Sequence, residues 1–264
     1  MAEPDLIDRA RSAMGDRAEL PGMILMQHLE ELRKMLIRSA IGLVVGMGIA
    51  WGFYSRIEQI IAAPLTHLGL QLTQLHPIDA VDFAVKVALY GGAILASPYI
   101  LYQVWLFISP GLYTREKRYV IPFMGATVGL FMTGIFVAYH FVLPSAMPVL
   151  LFKFGANFKQ MITIDDYMQF FLAVVLGIGI TFELPVLVFF LSLFGIVDAM
   201  FMVRHARYAI LIIFIIAAII CPAPDPISMC IFASPMLILY VFSIGVAYVF
   251  HPKRRQKKLD AKKS

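Results

Sequence analysis

The chain has 264 residues, 60% of them apolar and only 15% charged, with a formal net charge of +5. That balance excludes a soluble globular domain and a disordered chain, and places the protein in the membrane class. A bilayer core of about 30 Å takes roughly 20 apolar residues per helix. Six runs have that character, at 35–54, 84–108, 119–143, 167–191, 206–220 and 229–249. The expected fold is all-α: a polytopic membrane protein with six transmembrane helices, some kinked or short, capped by outer loops. Residues 1–22 read as a flexible cytoplasmic tail, 23–250 as one transmembrane domain and 251–264 as a basic cytoplasmic tail. About 34 polar or mixed residues precede the first apolar run, so no cleavable signal peptide is expected.

Pro4, Gly15, Pro21 and Gly22 break up the first 22 residues. A short amphipathic helix is expected from Met23, with Ile24, His28 and Glu31 along one side and Leu25, Leu29 and Leu32 along another. Glu30 and Lys34 stand at i,i+4, a pair worth about 0.3–0.5 kcal/mol. The other reading of this acidic pair is that one carboxylate faces outward to a basic partner. In the first span, Gly42, Gly46, Gly48 and Gly52 would let another helix approach closely. The next connection reads as helical pieces broken at Pro64.

Gly91, Gly92 and Pro98 predict a kink in the second span, and Pro144 the end of the third. Ser97 to Arg118 closes one span with aromatics, stops at Pro110-Gly111 and presents Glu116 among Arg115, Lys117 and Arg118. A carboxylate held there is a docking place for something cationic. Thr163 or Asp165 is the expected N-cap of the fourth helix. Glu183 lies well inside the fourth apolar run, two residues before Pro185, where an ionised acid is costly unless paired, hydrated or protonated. The fifth run is short, Pro235 interrupts the sixth, and Asp225 stands in the proline-rich turn between them.

Eighteen of the 22 Lys and Arg fall in the N-terminal part up to Arg38, the second connection, the fourth connection through Arg207 and the C-terminal tail, against three in the odd-numbered connections. The positive-inside rule then puts both termini in the cytoplasm. No metal spacing, P-loop or nucleophile elbow appears, so neither a catalytic residue, a metal nor a cofactor is expected. Cys221 and Cys230, near the outer ends of their spans, fit as small buried apolar residues, with a disulfide in an oxidising compartment as the other reading.

Five motifs now stand in order: HLEELRKML at 28–36, AAPL at 62–65, SPYILYQVWLFISPGLYTREKR at 97–118, FELPV at 182–186 and CPAPD at 221–225. Together they resemble the TatC family of the twin-arginine protein translocases, from about residue 26 to residue 250. The resemblance implies a non-enzymatic receptor for Arg-Arg signal peptides of folded cargo in the cytoplasmic (inner) membrane. It assigns signal-peptide binding to Glu31, Leu32, Arg33, Phe107, Tyr113 and Glu116. It assigns contacts with the single-span partners TatA and TatB to Glu183, with Pro64 and Asp225 matching further family positions. It also implies self-association in a multi-copy complex, with no nucleic acid involved. Met229 departs from the pattern, standing where some members carry Gln. The alternative reading is a proton-coupled secondary transporter using Glu183. Such transporters show paired repeats and several midplane acids, whereas these six runs show no half-to-half match.

Overall fold

The computed structural model describes residues 21–108, 120–153, 161–193, 196–221 and 225–250. Helix α1, Pro21–Gly52, is one continuous rod of 32 residues, so the amphipathic stretch and the first span are a single element. Helix α2, Tyr54–Thr66, follows a one-residue break, and α3, Asp79–Ile108, runs back beside α1. His28 stacks on Phe107 while Gly42 meets Tyr99 and Gly46 meets Gly92, so α1 and α3 are antiparallel. The end of the bundle where α1 begins is the terminal face, and the opposite end is the distal face.

Helix α4, Val120–Val137, continues through a π-turn, Ala138–Val142, into α5, Leu143–Pro148, and a second π-turn, Val149–Lys153. The expected stop at Pro144 does not occur. A π-turn shifts the hydrogen-bond register by one residue, and the helical run passes both Pro144 and Pro148. Helix α6, Ile164–Thr181, breaks at Phe182–Glu183 and resumes as α7, Leu184–Leu193. Pro185 accounts for the break, because it has no N–H for the Thr181 carbonyl. Then come α8, Ala199–Arg204, α9, Ala206–Ile220, and α10, Pro226–Phe250. Two short strands, β1 (Leu72–Thr73) and β2 (Ile162–Thr163), pair in parallel across the distal face.

The expected breaks at Pro64 and Pro235 are absent, and the helix also runs on through Pro98. Pro98 lies inside α3, and the Ile94 carbonyl it leaves unpaired accepts from the Ser97 hydroxyl at 2.7 Å. Pro235 lies inside α10, and the Ser234 hydroxyl serves the Ile231 carbonyl at 2.9 Å. Pro64 lies buried inside α2, where the Ile60 carbonyl takes the Tyr139 hydroxyl at 2.8 Å and the neighbouring Ile61 carbonyl takes that of Tyr167. Each proline thus costs one helical hydrogen bond that a hydroxyl replaces. In α2 the two tyrosines come from the π-turn after α4 and from α6, so the replacement also fastens the distal cap to the bundle.

Among the described residues, five helical runs are long and apolar enough to cross a membrane: 28–52, 79–107, 124–153, 164–192 and 226–249. The sixth, α9, is apolar but only 15 residues long, about 22 Å at 1.5 Å per residue. The main core gathers Leu65, Val87, Leu143, Met168, Ile178, Phe232 and Met236, and a smaller one packs Trp105 against Phe189 and Phe190.

The Thr163 hydroxyl accepts the Asp166 N–H at 3.0 Å and is the N-cap of α6. Thr163→Ala is expected to lower stability by about 1 kcal/mol, read as a fall in the thermal unfolding midpoint in detergent. Asp165 does different work, meeting the ammonium of Lys86 from α3 and the Gln169 amide at 2.7 Å.

Candidate functional site

The α1–α3 pair builds its own groove. Gly46 and Gly92 bring the two backbones together: a Cβ on Gly92 would sit 2.5 Å from the Met47 nitrogen. Above that crossing, towards the terminal face, the helices carry larger side chains and separate around a hollow of about 350 Å³. One stripe of α1 lines it with Glu31, Lys34, Met35 and Arg38. The facing stripe of α3 supplies Gln103, Leu106 and Phe107. Both stripes follow the i, i+3, i+4 spacing of one helix face.

The acidic pair on α1 divides its duties. Glu30 holds Lys34 at 2.8 Å on the surface, which is the intrahelical pairing its spacing predicts. Glu31 turns into the groove, with half of its side chain still exposed and only the His28 imidazole near it, at 3.8 Å. His28 is in turn stacked on Phe107, with ring centroids 4.3 Å apart. Among the described residues no lysine or arginine pairs with Glu31. The site is therefore a carboxylate with no guanidinium or ammonium on it, beside an aromatic wall and open to solvent.

Behind the α3 wall, Trp105 is buried against Phe190 and donates its indole N–H to the Thr127 hydroxyl at 2.9 Å. That bond ties α3 to α4 two residues from Phe107 and fixes the rotation of the wall.

Of the residues expected at this site, Glu31 and Phe107 come together in the groove. Leu32 and Arg33 do not line it, since they sit one and two positions off the α1 stripe. Tyr113 and Glu116 lie outside the described residues. Gln103 and Arg38 are additions that only the structure makes. The one sequence signal for Gln103 is an amide in the otherwise apolar run YQVWLF.

The three residues expected to contact partner helices occupy separate places. Glu183 sits in the α6–α7 break, and its Oε1 is buried with no hydrogen-bond partner. Pro64 is buried in α2. Asp225 precedes α10 and accepts the Ser228 N–H at 2.8 Å, a bond that holds its carboxyl below the usual carboxylate range. Its other oxygen is buried and unpartnered. Sequence reading also misses Lys86, which bridges Asp82 of its own helix, 2.6 Å away, and Asp165 of α6. Cys221 is buried and Cys230 exposed, and neither is in a disulfide. The exposure of Cys230 departs from its reading as a buried apolar residue. Among the described residues, no group of three or more His, Cys, Asp or Glu is placed to hold a metal ion.

Residues 27–235 match the family model described as Sec-independent protein translocase protein (TatC). The Sec-independent protein translocase protein TatC of Koribacter versatilis is 45% identical, over 98% of this chain and 97% of its own length. That of Aquifex aeolicus is 37% identical, over 89% of this chain and 98% of its own. A crystal structure of the twin-arginine translocase receptor TatC superposes with a TM-score of 0.73 at 38% identity, covering 83% of this chain and 97% of that one.

Proposed function

Because the chain belongs to the TatC family of Sec-independent protein translocase proteins, we propose that it is the signal-peptide receptor of a twin-arginine translocase. Its multi-pass helical build suits a translocase component in a membrane. The observation that carries the receptor reading is the Glu31 carboxylate, left without a lysine or arginine partner among the described residues while Glu30 next to it is already paired with Lys34. A guanidinium can meet a carboxylate through two parallel charge-assisted hydrogen bonds, which an ammonium cannot reproduce. By the family resemblance Glu116 supplies the second carboxylate and Tyr113 a further contact, with Phe107 as the apolar wall. Leu32 and Arg33 act beside the groove, the arginine repelling polycations that lack the motif.

Both termini are cytoplasmic in this reading, so the terminal face and its groove look into the cytoplasm where folded cargo is presented. The excess of Lys and Arg in the tails and the even-numbered connections supports this orientation. The membrane is the cytoplasmic (inner) membrane, and the protein performs no chemistry of its own. Glu183, whose buried Oε1 has no partner among the described residues, takes a hydrogen bond from the single-span subunits TatA or TatB. Pro64 and Asp225 contribute to such contacts at the distal face, in a complex of several copies.

The test is photocrosslinking of a signal peptide from positions next to Glu31, comparing Arg-Arg with Lys-Lys versions. Crosslinks that require the arginines are the expected result. Equal crosslinking by the two peptides would reduce Glu31 to a local charge-balancing role and reopen the transporter reading.

A further inference from the structure

We propose that Gln103 reads the main chain of the bound peptide below Glu31 and thereby fixes its register in the groove. The inference rests on the receptor reading and concerns the residues that come after the arginines. Gln103 is only 4% exposed, yet it lines the groove. Among the described residues no hydrogen bond reaches its side-chain amide. Its amide is not among the fully buried, unpartnered polar atoms, so the little surface the side chain keeps is at the amide, in the groove, where it is held ready for something that enters.

The antiparallel pairing sets the levels. His28 and Phe107 stack at the mouth, and Gly42 meets Tyr99 at the bottom. Arg38, seven residues on from Glu31, lies about 10 Å deeper, on the stretch of α1 that faces Gln103. It too has no partner among the described residues. The groove is therefore graded, with a carboxylate at the mouth and a guanidinium plus a neutral amide at depth.

A ligand matching that gradient carries its cations at one end only, because Arg38 repels a cation that goes deeper. The segment beyond those cations must be uncharged and must offer hydrogen-bonding groups. An extended peptide backbone does both. Outside a helix its N–H and C=O groups need partners, and the Gln103 amide both donates and accepts. Met35 and Leu106 offer apolar walls that accept many side chains. The mouth selects arginine by charge, and the depth holds the peptide without regard to its side chains. An anionic lipid headgroup also suits Arg38, but Lys34 is already taken by Glu30 and Glu31 repels an anion at the entrance.

The experiment uses the full-length protein in detergent and a synthetic Arg-Arg signal peptide carrying a photoreactive residue three positions after the second arginine. Binding is read by fluorescence anisotropy, crosslinked positions by mass spectrometry, and folding by thermal unfolding. Gln103→Met, of similar length but without the amide, is expected to weaken Arg-Arg and Lys-Lys peptides equally, by about tenfold for two lost hydrogen bonds, and to spread the crosslinks over several registers. Gln103→Glu adds a carboxylate at depth and is expected to draw the arginines inward, shifting the crosslinks by about one turn; that shift decides the matter if Gln103→Met does not fold. Unchanged affinity and crosslinks in Gln103→Met, with the wild type still preferring Arg-Arg, overturn this inference alone. Loss of a copurifying anionic phospholipid with peptide binding intact overturns it in favour of a headgroup site. A wild type that shows no Arg-Arg preference overturns the receptor reading and this inference with it.

Discussion

Glu31→Gln is expected to lower affinity for an Arg-Arg signal peptide by about 10- to 100-fold, the range of one lost charge-assisted hydrogen-bonded pair. The substitution keeps the size but turns one acceptor oxygen into an NH2 donor, so the charge and the second of the paired hydrogen bonds are lost together. Affinity for the Lys-Lys peptide, which makes no paired contact, is expected to fall much less, so discrimination between the two peptides collapses. Glu30→Gln is the internal comparison. Its carboxylate is spent on Lys34 at the surface, an exposed pair of the kind that contributes little, and its loss is expected to leave discrimination intact. Titration of the two peptides against purified protein decides the matter. Equal losses for both peptides in Glu31→Gln, or a loss as large in Glu30→Gln, would make the groove a general cation attractor and not an arginine reader.

The largest effect on stability is expected at Gly92. A methyl group there would stand 2.5 Å from the Met47 nitrogen and 2.7 Å from its Cα, and backbone cannot rotate away as a side chain can. Gly92→Ala must push α1 and α3 apart, at a cost of about 1–3 kcal/mol, and Gly92→Val more. Because the crossing sets the spacing of the groove above it, binding of the Arg-Arg peptide should weaken along with the thermal midpoint. Gly48→Ala is the control, because nothing lies within 4 Å of a Cβ at that position; it should leave stability unchanged or slightly raised through better helix propensity. Equal midpoints for the two alanine variants would show that the helices do not need this close crossing.

The two glycine pairs on α1 also show how far a motif can be read. Gly42-x3-Gly46 and Gly48-x3-Gly52 look alike in sequence, and spacing alone gives both the same meaning. Only the first pair faces α3, with Gly42 against Tyr99 and Gly46 against Gly92, while Gly48 and Gly52 face open space. Which side of a helix meets a neighbour is not a local property, so the sequence has no means of separating them.

The prolines mislead a sequence reading for a different reason. Neither Pro98 nor Pro235 interrupts its helix, and both are preceded by serine. The hydroxyl of each serine reaches the carbonyl that its proline leaves unpaired, so the correcting signal is one residue away in the chain. At Pro64 no local residue does this. The hydroxyl comes from Tyr139, which is 79 residues away from the carbonyl it serves, and no local reading would find it.

The sequence by itself determined the class of the protein, the number of apolar runs, the charge asymmetry of the connections and the pairing of Glu30 with Lys34. These follow from composition, from run length against bilayer thickness and from contacts one helical turn apart, all of which are local. The tertiary structure alone decided that Glu31 faces Phe107, that Gln103 is buried without a partner in the same groove and that Lys86 spans two helices to Asp165. Those facts depend on the rotation and depth at which one helix packs on another, and that is set by side chains far apart in the chain.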